Sequence, residues 1–270
     1  MRCRLLLLFL PLALFAGDAG AWGLQTHLFF AQYALLALPL ADPRLRAAAA
    51  ALPQLVLAGA CLPDLALAGR AMGTAAFCRT HRWTTLRRMA GTAASQEERA
   101  IAIGYASHLI ADVVAHTHFV PEHERRIAPV AHVTHALCEW AMDHFLHRDL
   151  FAAPADLLRA EAPTLAAVAA RHCGCRETLA RRALDWLAGA ERALRGSGLP
   201  RLCRAIARRF DPHLEPRFEA YVRETAGRLS QIGAVLEGAE ADGEPEPSGA
   251  SIAASARRRA PGLLLPASLH

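Results

Sequence analysis

Residues 95–119 read SQEERAIAIGYASHLIADVVAHTHF, and this run decides the fold. It is rich in helix formers, and on a helix residues i, i+4 and i+8 share one stripe, so His108, Asp112 and His116 present an imidazole, a carboxylate and an imidazole in line. Their neighbours Leu109, Ile110, Ala111, Val113 and Val114 are apolar, which turns the stripe inward. Three buried polar groups need partners, and one cation serves all three. The bland alternative is a polar helix face with ordinary hydrogen bonds. Eight of the 13 histidines lie between His108 and His147 among acidic residues, which favours the cation.

Working outward, the chain from Gln25 to about Glu237 is rich in Ala, Leu and Arg, poor in β-branched runs, and broken by Pro and Gly at helical intervals. The expectation is an all-α, multi-helix bundle with helices near 25–38, 43–58, 95–119, 128–150, 161–171, 176–194, 198–210 and 214–237. Gly59 to Arg82, with Pro63 and three glycines, reads as a long ordered loop. Beyond Gly238 the composition shifts to Gly, Pro, Glu and Ser, which predicts a flexible tail over 239–270. At 270 residues and 53% hydrophobic content the chain is not a disordered one, and a single domain over 22–238 is the simplest organisation.

The first residues carry a different signal. Met1-Arg2-Cys3-Arg4, the apolar run Leu5 to Ala16 and the small-residue stretch to Ala21 read as a secretory signal peptide over 1–21, so the protein is expected to be exported to the periplasm or beyond the cell. Cleavage there makes Trp22 the new N-terminus with a free α-amino group. The net charge of +5 comes from arginines, with no lysine in the chain, and reads as a compositional bias spread over helix faces. No stable nucleic-acid partner is expected from it. Six cysteines remain after loss of Cys3, and their spacing neither assigns disulfides nor suits a thiolate zinc site.

Further candidates stand on either side of the central stripe. His135 and Glu139 repeat the i, i+4 spacing on the next helix; Asp64 ends Gly-Ala-Cys-Leu-Pro-Asp; His81 lies in Thr-His-Arg-Trp; and His27 follows Trp22 by five residues. Each is ordinary alone, since Pro-Asp commonly begins a turn.

Together, Ala-Trp-Gly-x-x-Thr-His after a signal peptide, Pro-Asp, Thr-His-Arg-Trp, His-x-x-x-Asp and His-x-x-x-Glu resemble the zinc-dependent phospholipase C family over residues 22–150. The resemblance implies a helical bundle around a trinuclear zinc site, similar in outline to the single-strand-specific nucleases that also begin with a mature Trp. It implies that Asp64, His81, His108 and Asp112 hold one zinc, that Trp22 joins through its α-amino nitrogen and carbonyl oxygen with His27 and a bridging Asp64 or Asp112, and that His135, Glu139 and one later histidine complete the set. For that last place His116 and His118 compete, and His116 is favoured because it shares the stripe with His108 and Asp112. Asp64 is also the candidate to orient or deprotonate the attacking water.

The implied activity is hydrolysis of a phosphodiester, with phospholipid or a membrane surface as the partner. Glu139 tilts the choice toward lipid, because the related nucleases usually carry Asp at that place. A nuclease-type phosphodiesterase and an inactive zinc- or lipid-binding protein are the alternatives. A di-iron bundle, a serine hydrolase and a zincin lack their motifs, since no Glu-x-x-His, Gly-x-Ser-x-Gly or His-Glu-x-x-His occurs. Trp83 and Trp140 are candidates for a substrate cleft or for core. His123, His132, His144 and His147 are expected at the surface or behind the site, and His172 and His213 facing solvent.

Overall fold

A computed structural model describes residues 23–37, 40–127 and 131–245, without the side chains of 131–133; the segment expected to be a signal peptide, Trp22 and most of the expected tail lie outside these residues. The described residues contain helices and no strand, as the composition predicts.

The first helix, α1, runs Leu24–Ala37 and is followed by α2, Pro43–Ala51, and α3, Pro53–Gly59. Asp42 caps α2 by accepting from Arg44 N at 2.7 Å, with Pro43 ready at the first helical position. The expected continuous helix over 43–58 is two helices. Pro53 supplies no N–H and disfavours the helical conformation in the residue before it, so Leu52 swings to φ −132°, ψ 53° and the axis breaks there. The expected loop over 59–82 also holds a helix, α4, Leu65–Ala71, and a further helix unforeseen in the sequence, α5, covers Trp83–Thr92.

The decisive run forms α6, Gln96–Val114. Ser95 Oγ accepts from Glu98 N at 3.2 Å, and Glu98 reaches back to accept from Ala94 N at 2.8 Å, which satisfies the otherwise orphaned donors of the first turn. Around α6 pack α1, α2, α3 and α5, so nearly every side chain from Ala100 to Ala115 is buried. The stretch Gln96–Arg126 is long and apolar enough to cross a membrane, yet most of it is core. At Ala115 the helix widens into one π-turn, Ala115–Phe119, in which Val120 N–H reaches back to Ala115 O, before α7, Val120–Arg126, resumes.

The second half begins with α8, Ala131–Leu146, continued by a 3-10 turn, His147–Asp149. Four helices, α9 Pro154–Ala160, α10 Ala162–Cys173, α11 Glu177–Gly196 and α12 Leu199–Phe210, then fold back, with α12 lying along α8 and α11 touching α4. The last two are α13, Leu214–Arg228, and α14, Ile232–Leu236, both against α6. Beyond α14 the chain returns to α5, where Trp83 Nε1 donates to Gly243 O at 2.8 Å. Trp83 and Trp140 are both buried core residues.

A polar network ties α7 to α13. Glu122 accepts from Arg126 and Arg217, the latter at 3.0 Å, and from the Tyr221 hydroxyl, while Asp211 accepts from Arg217 Nε at 2.6 Å. Burial works to raise both carboxyls, but these donors outweigh it and hold them below the ordinary carboxylate range. A folded-state pKa below the unfolded value of about 4 contributes stability above that pH and loses it as pH falls through the folded pKa. Glu122→Gln is therefore expected to melt below the wild type at pH 6, with the gap narrowing as melts are repeated down to pH 3.

Candidate metal centre

Five of the residues singled out in the sequence converge in the middle of the bundle, from four places in the chain: His27 on α1, Asp64 at the start of α4, His81 just before α5, and His108 with Asp112 on α6. All five are buried. His108 Nε2 stands 3.1 Å from Asp112 Oδ2 and 3.2 Å from His81 Nε2; His81 Nε2 is 3.5 Å from both Asp64 Oδ1 and Asp112 Oδ2; and His27 Nε2 is 3.3 Å from Asp112 Oδ1. The His27 and His108 rings stack at 3.4 Å, nearly parallel. Two triads, His27-Asp64-His108 and His81-His108-Asp112, each bring three ligand atoms within 4.8 Å of one another.

The tautomer of His108 follows from its surroundings. Its Nδ1 lies 2.7 Å from the carbonyl of Ala60, which accepts only, so Nδ1 carries the proton and donates, leaving the Nε2 lone pair directed into the cluster. A metal-binding histidine is commonly oriented in this way, through the far ring nitrogen.

The donor set fits a cation. Asp112 Oδ1 and Oδ2 and Asp64 Oδ1 are buried with no hydrogen-bond partner, although imidazole nitrogens stand 3.1–3.5 Å from them. Buried carboxylate oxygens are costly in that state. Nitrogens and oxygens this close, with no hydrogen bond to those oxygens, form groups that could hold a metal ion. The nitrogen and carboxylate-oxygen composition suits zinc. Burial pushes His108 down, but Asp112 and Asp64 outweigh it and raise its pKa. That rise registers an excess of negative charge.

Beside this cluster lies a second. His135 Nε2 is 2.6 Å from Glu139 Oε1 on α8, and the His135 ring lies 5.6 Å from that of His116. Burial lowers His116 well below its ordinary value, helped by His135, His81 and His108, so its imidazole is neutral and able to ligate. Burial raises Glu139 to about 7 against the pull of His135. The π-turn separates the two competing histidines: His116 faces His135, whereas His118 is exposed and pairs with Glu224 Oε1 at 2.5 Å. Exposure rises along Thr117 and His118, so this is the side on which the centre nears solvent.

Trp22 lies outside the described residues, as does the side chain of His132. One of the other histidines departs from expectation. His172 is buried rather than solvent-facing, because α10 lays it against α5, where its carbonyl accepts from Arg88. His123 is buried too, with Nδ1 at 2.8 Å from Phe119 O, among Phe119, Phe218 and Tyr221. His213 is exposed as expected. What the sequence reading passed over is Asp143, fully buried on α8, with its partner Arg195 on α11. A signal existed, since His135, Glu139 and Asp143 repeat the i, i+4, i+8 stripe of α6.

Comparison with known proteins agrees with this geometry. The sequence profile of the zinc-dependent phospholipase C family matches residues 26–185, more than half of the chain, and the matched stretch holds every described residue of both clusters. No curated protein and no solved structure matches the chain significantly. With buried His and Asp groups suited to a metal and a profile match of this extent, the chain belongs to the zinc-dependent phospholipase C family.

Proposed function

We propose that this chain is an exported phospholipase C that hydrolyses glycerophospholipids to diacylglycerol and a phosphorylated head group. The observation that carries the reading is the convergence of His27, Asp64, His81, His108 and Asp112 around carboxylate oxygens that have no hydrogen-bond donor, in a member of this family. On this reading Asp64, His81, His108 and Asp112 would hold one zinc; His27 and the Trp22 α-amino and carbonyl groups, with Asp64 or Asp112, would hold a second; and His116, His135 and Glu139 would serve the third. His116 takes the place contested with His118, because it faces His135 while His118 is engaged with Glu224. Bound zinc supplies a Lewis acid for the phosphate and makes water nucleophilic near neutral pH.

The chain's own residues do the rest. Asp64, with Oδ1 free of hydrogen bonds, orients the water and takes its proton as the water oxygen bonds to phosphorus. The bond from phosphorus to the glycerol oxygen breaks, and the proton goes on to the departing alkoxide. Substrate enters on the side of Thr117, His118 and His135, where the protein opens to solvent.

The test compares the processed chain beginning at Trp22 with one bearing an extra residue ahead of it, in zinc content and in hydrolysis of a phosphatidylcholine analogue and of single-stranded DNA. About three zincs are expected, with lipid hydrolysis that falls by on the order of a hundredfold when the N-terminus is blocked. A chain that binds no zinc would sink the site assignment. Zinc binding with DNA cleaved and lipid untouched would replace the phospholipase reading by the nuclease one.

A further inference from the structure

The pair formed by buried Asp143 and half-buried Arg195 has no place among the proposed zinc ligands, yet it grips the chain where α1 begins. Asp143 Oδ1 accepts from both Thr26 N at 2.9 Å and Thr26 Oγ1 at 2.7 Å. The first of these is shared, since Thr26 N also donates to Gly23 O at 3.0 Å, so Asp143 adds a second acceptor to the first turn of α1 from outside the helix's own sequence. Asp143 Oδ2 accepts from Arg195 Nη2, and Arg195 Nε donates to Glu191 Oε1 at 2.8 Å. Asp143 is fully buried, and both of its oxygens are engaged, by this arginine and by the two Thr26 bonds. The fit is close enough to exclude a side chain at Gly23, where a Cβ would fall inside the Asp143 carboxylate. One residue beyond Thr26 stands His27, 3.3 Å from Asp112.

We propose that Asp143, held by Arg195, is a positioning residue: a latch that fixes the Gly23–Thr26 segment and thereby sets His27 against the metal centre. The proposal rests on the metal-centre reading above. Its logic is geometric. Zinc ligation tolerates only a few tenths of an ångström in ligand position, and a helix terminus is the part of a helix most prone to fray. Three helices, α1, α8 and α11, meet at this one carboxylate, so the terminus that carries His27 is held from outside its own sequence.

The test uses the exported, processed chain with zinc as the ligand and a chelator competing for it. Thr26→Val removes one of the latch bonds at nearly constant volume, Gly23→Ala drives a methyl group into the carboxylate, and Asp143→Asn removes the charge. Leu165→Ala, in the core on α10, which carries none of the latch residues, supplies a protein of lowered melting temperature with the latch residues unchanged. Zinc per chain is read by native mass spectrometry, zinc release by the rate of transfer to the chelator, and folding by far-UV circular dichroism. The latch variants are expected to release zinc roughly tenfold faster than the wild type, as loss of an outer support to a ligand does, while Leu165→Ala holds zinc as the wild type does. Thr26→Val and Gly23→Ala that are folded and release zinc at the wild-type rate would overturn the latch alone. A wild type that takes up no zinc overturns the metal centre and the latch together.

Discussion

Asp112→Asn is expected to lower phosphodiester hydrolysis by on the order of a thousandfold, corresponding to the loss of several kcal/mol of charge stabilisation. Asp112 is the residue on which the cluster turns, since His27, His81 and His108 all stand within 3.5 Å of one or other of its oxygens. The same substitution should act with opposite sign on the two forms of the protein. Without zinc, the native carboxylate is buried without hydrogen-bond donors, so a neutral amide costs little there and can raise the melting temperature. With zinc, the wild type gains about 2.7 kcal/mol when the free metal is about 100 times its dissociation constant, and the variant loses most of that gain. Melts of both proteins with zinc and with chelator measure the two effects. A variant that is stabilised by zinc as strongly as the wild type would remove Asp112 from the ligand set.

Gly104→Ala is expected to destabilise the fold by about 3 kcal/mol, a fall in melting temperature of roughly 6–12 °C. A Cβ at Gly104 would overlap the Val56 carbonyl oxygen and come within 2.8 Å of Ala60 N, so α3 and α6 touch backbone to backbone here. The added methyl has no flexible neighbour to displace and must push one helix away from the other. His108 lies one turn further along α6 and takes its orientation from Ala60 O, at the end of α3. Parting the helices therefore loosens a proposed ligand as well as the core, and faster zinc release should accompany the lower melting temperature.

The all-helical fold was legible because α6 carries its evidence locally, in its helix formers, the apolar neighbours of His108 and Asp112, and the absence of β-branched runs. The break at Leu52 was missed, although Pro53 signals it, because the alanine-rich stretch around it reads as continuous. The π-turn was not, since a hydrogen bond that reaches one residue further back is stabilised by what surrounds it: His135 on one side and Glu224, more than a hundred residues away, on the other. That extra residue directs His116 inward and His118 out, where an ideal helix would have left the choice to the stripe argument. His172 was misplaced for a related reason, because its local sequence offers no partner and its burial is the work of α5. Asp143 shared a visible stripe with His135 and Glu139, but its partners Thr26 and Arg195 are 117 and 52 residues away, and only the fold brings them together.

The helix built around Asp112 has a further consequence if the chain is exported as proposed. Gln96–Arg126 is long and apolar enough to be mistaken for a membrane anchor while it passes, unfolded, through a translocation channel that tests each segment against lipid. Asp112 lies near the midpoint of that stretch, where a charged side chain adds about 2.5–3.5 kcal/mol to the cost of lateral escape into the bilayer. The carboxylate proposed as a zinc ligand in the folded protein would thus also bias the nascent segment toward complete passage, so that losing it would endanger delivery as well as chemistry.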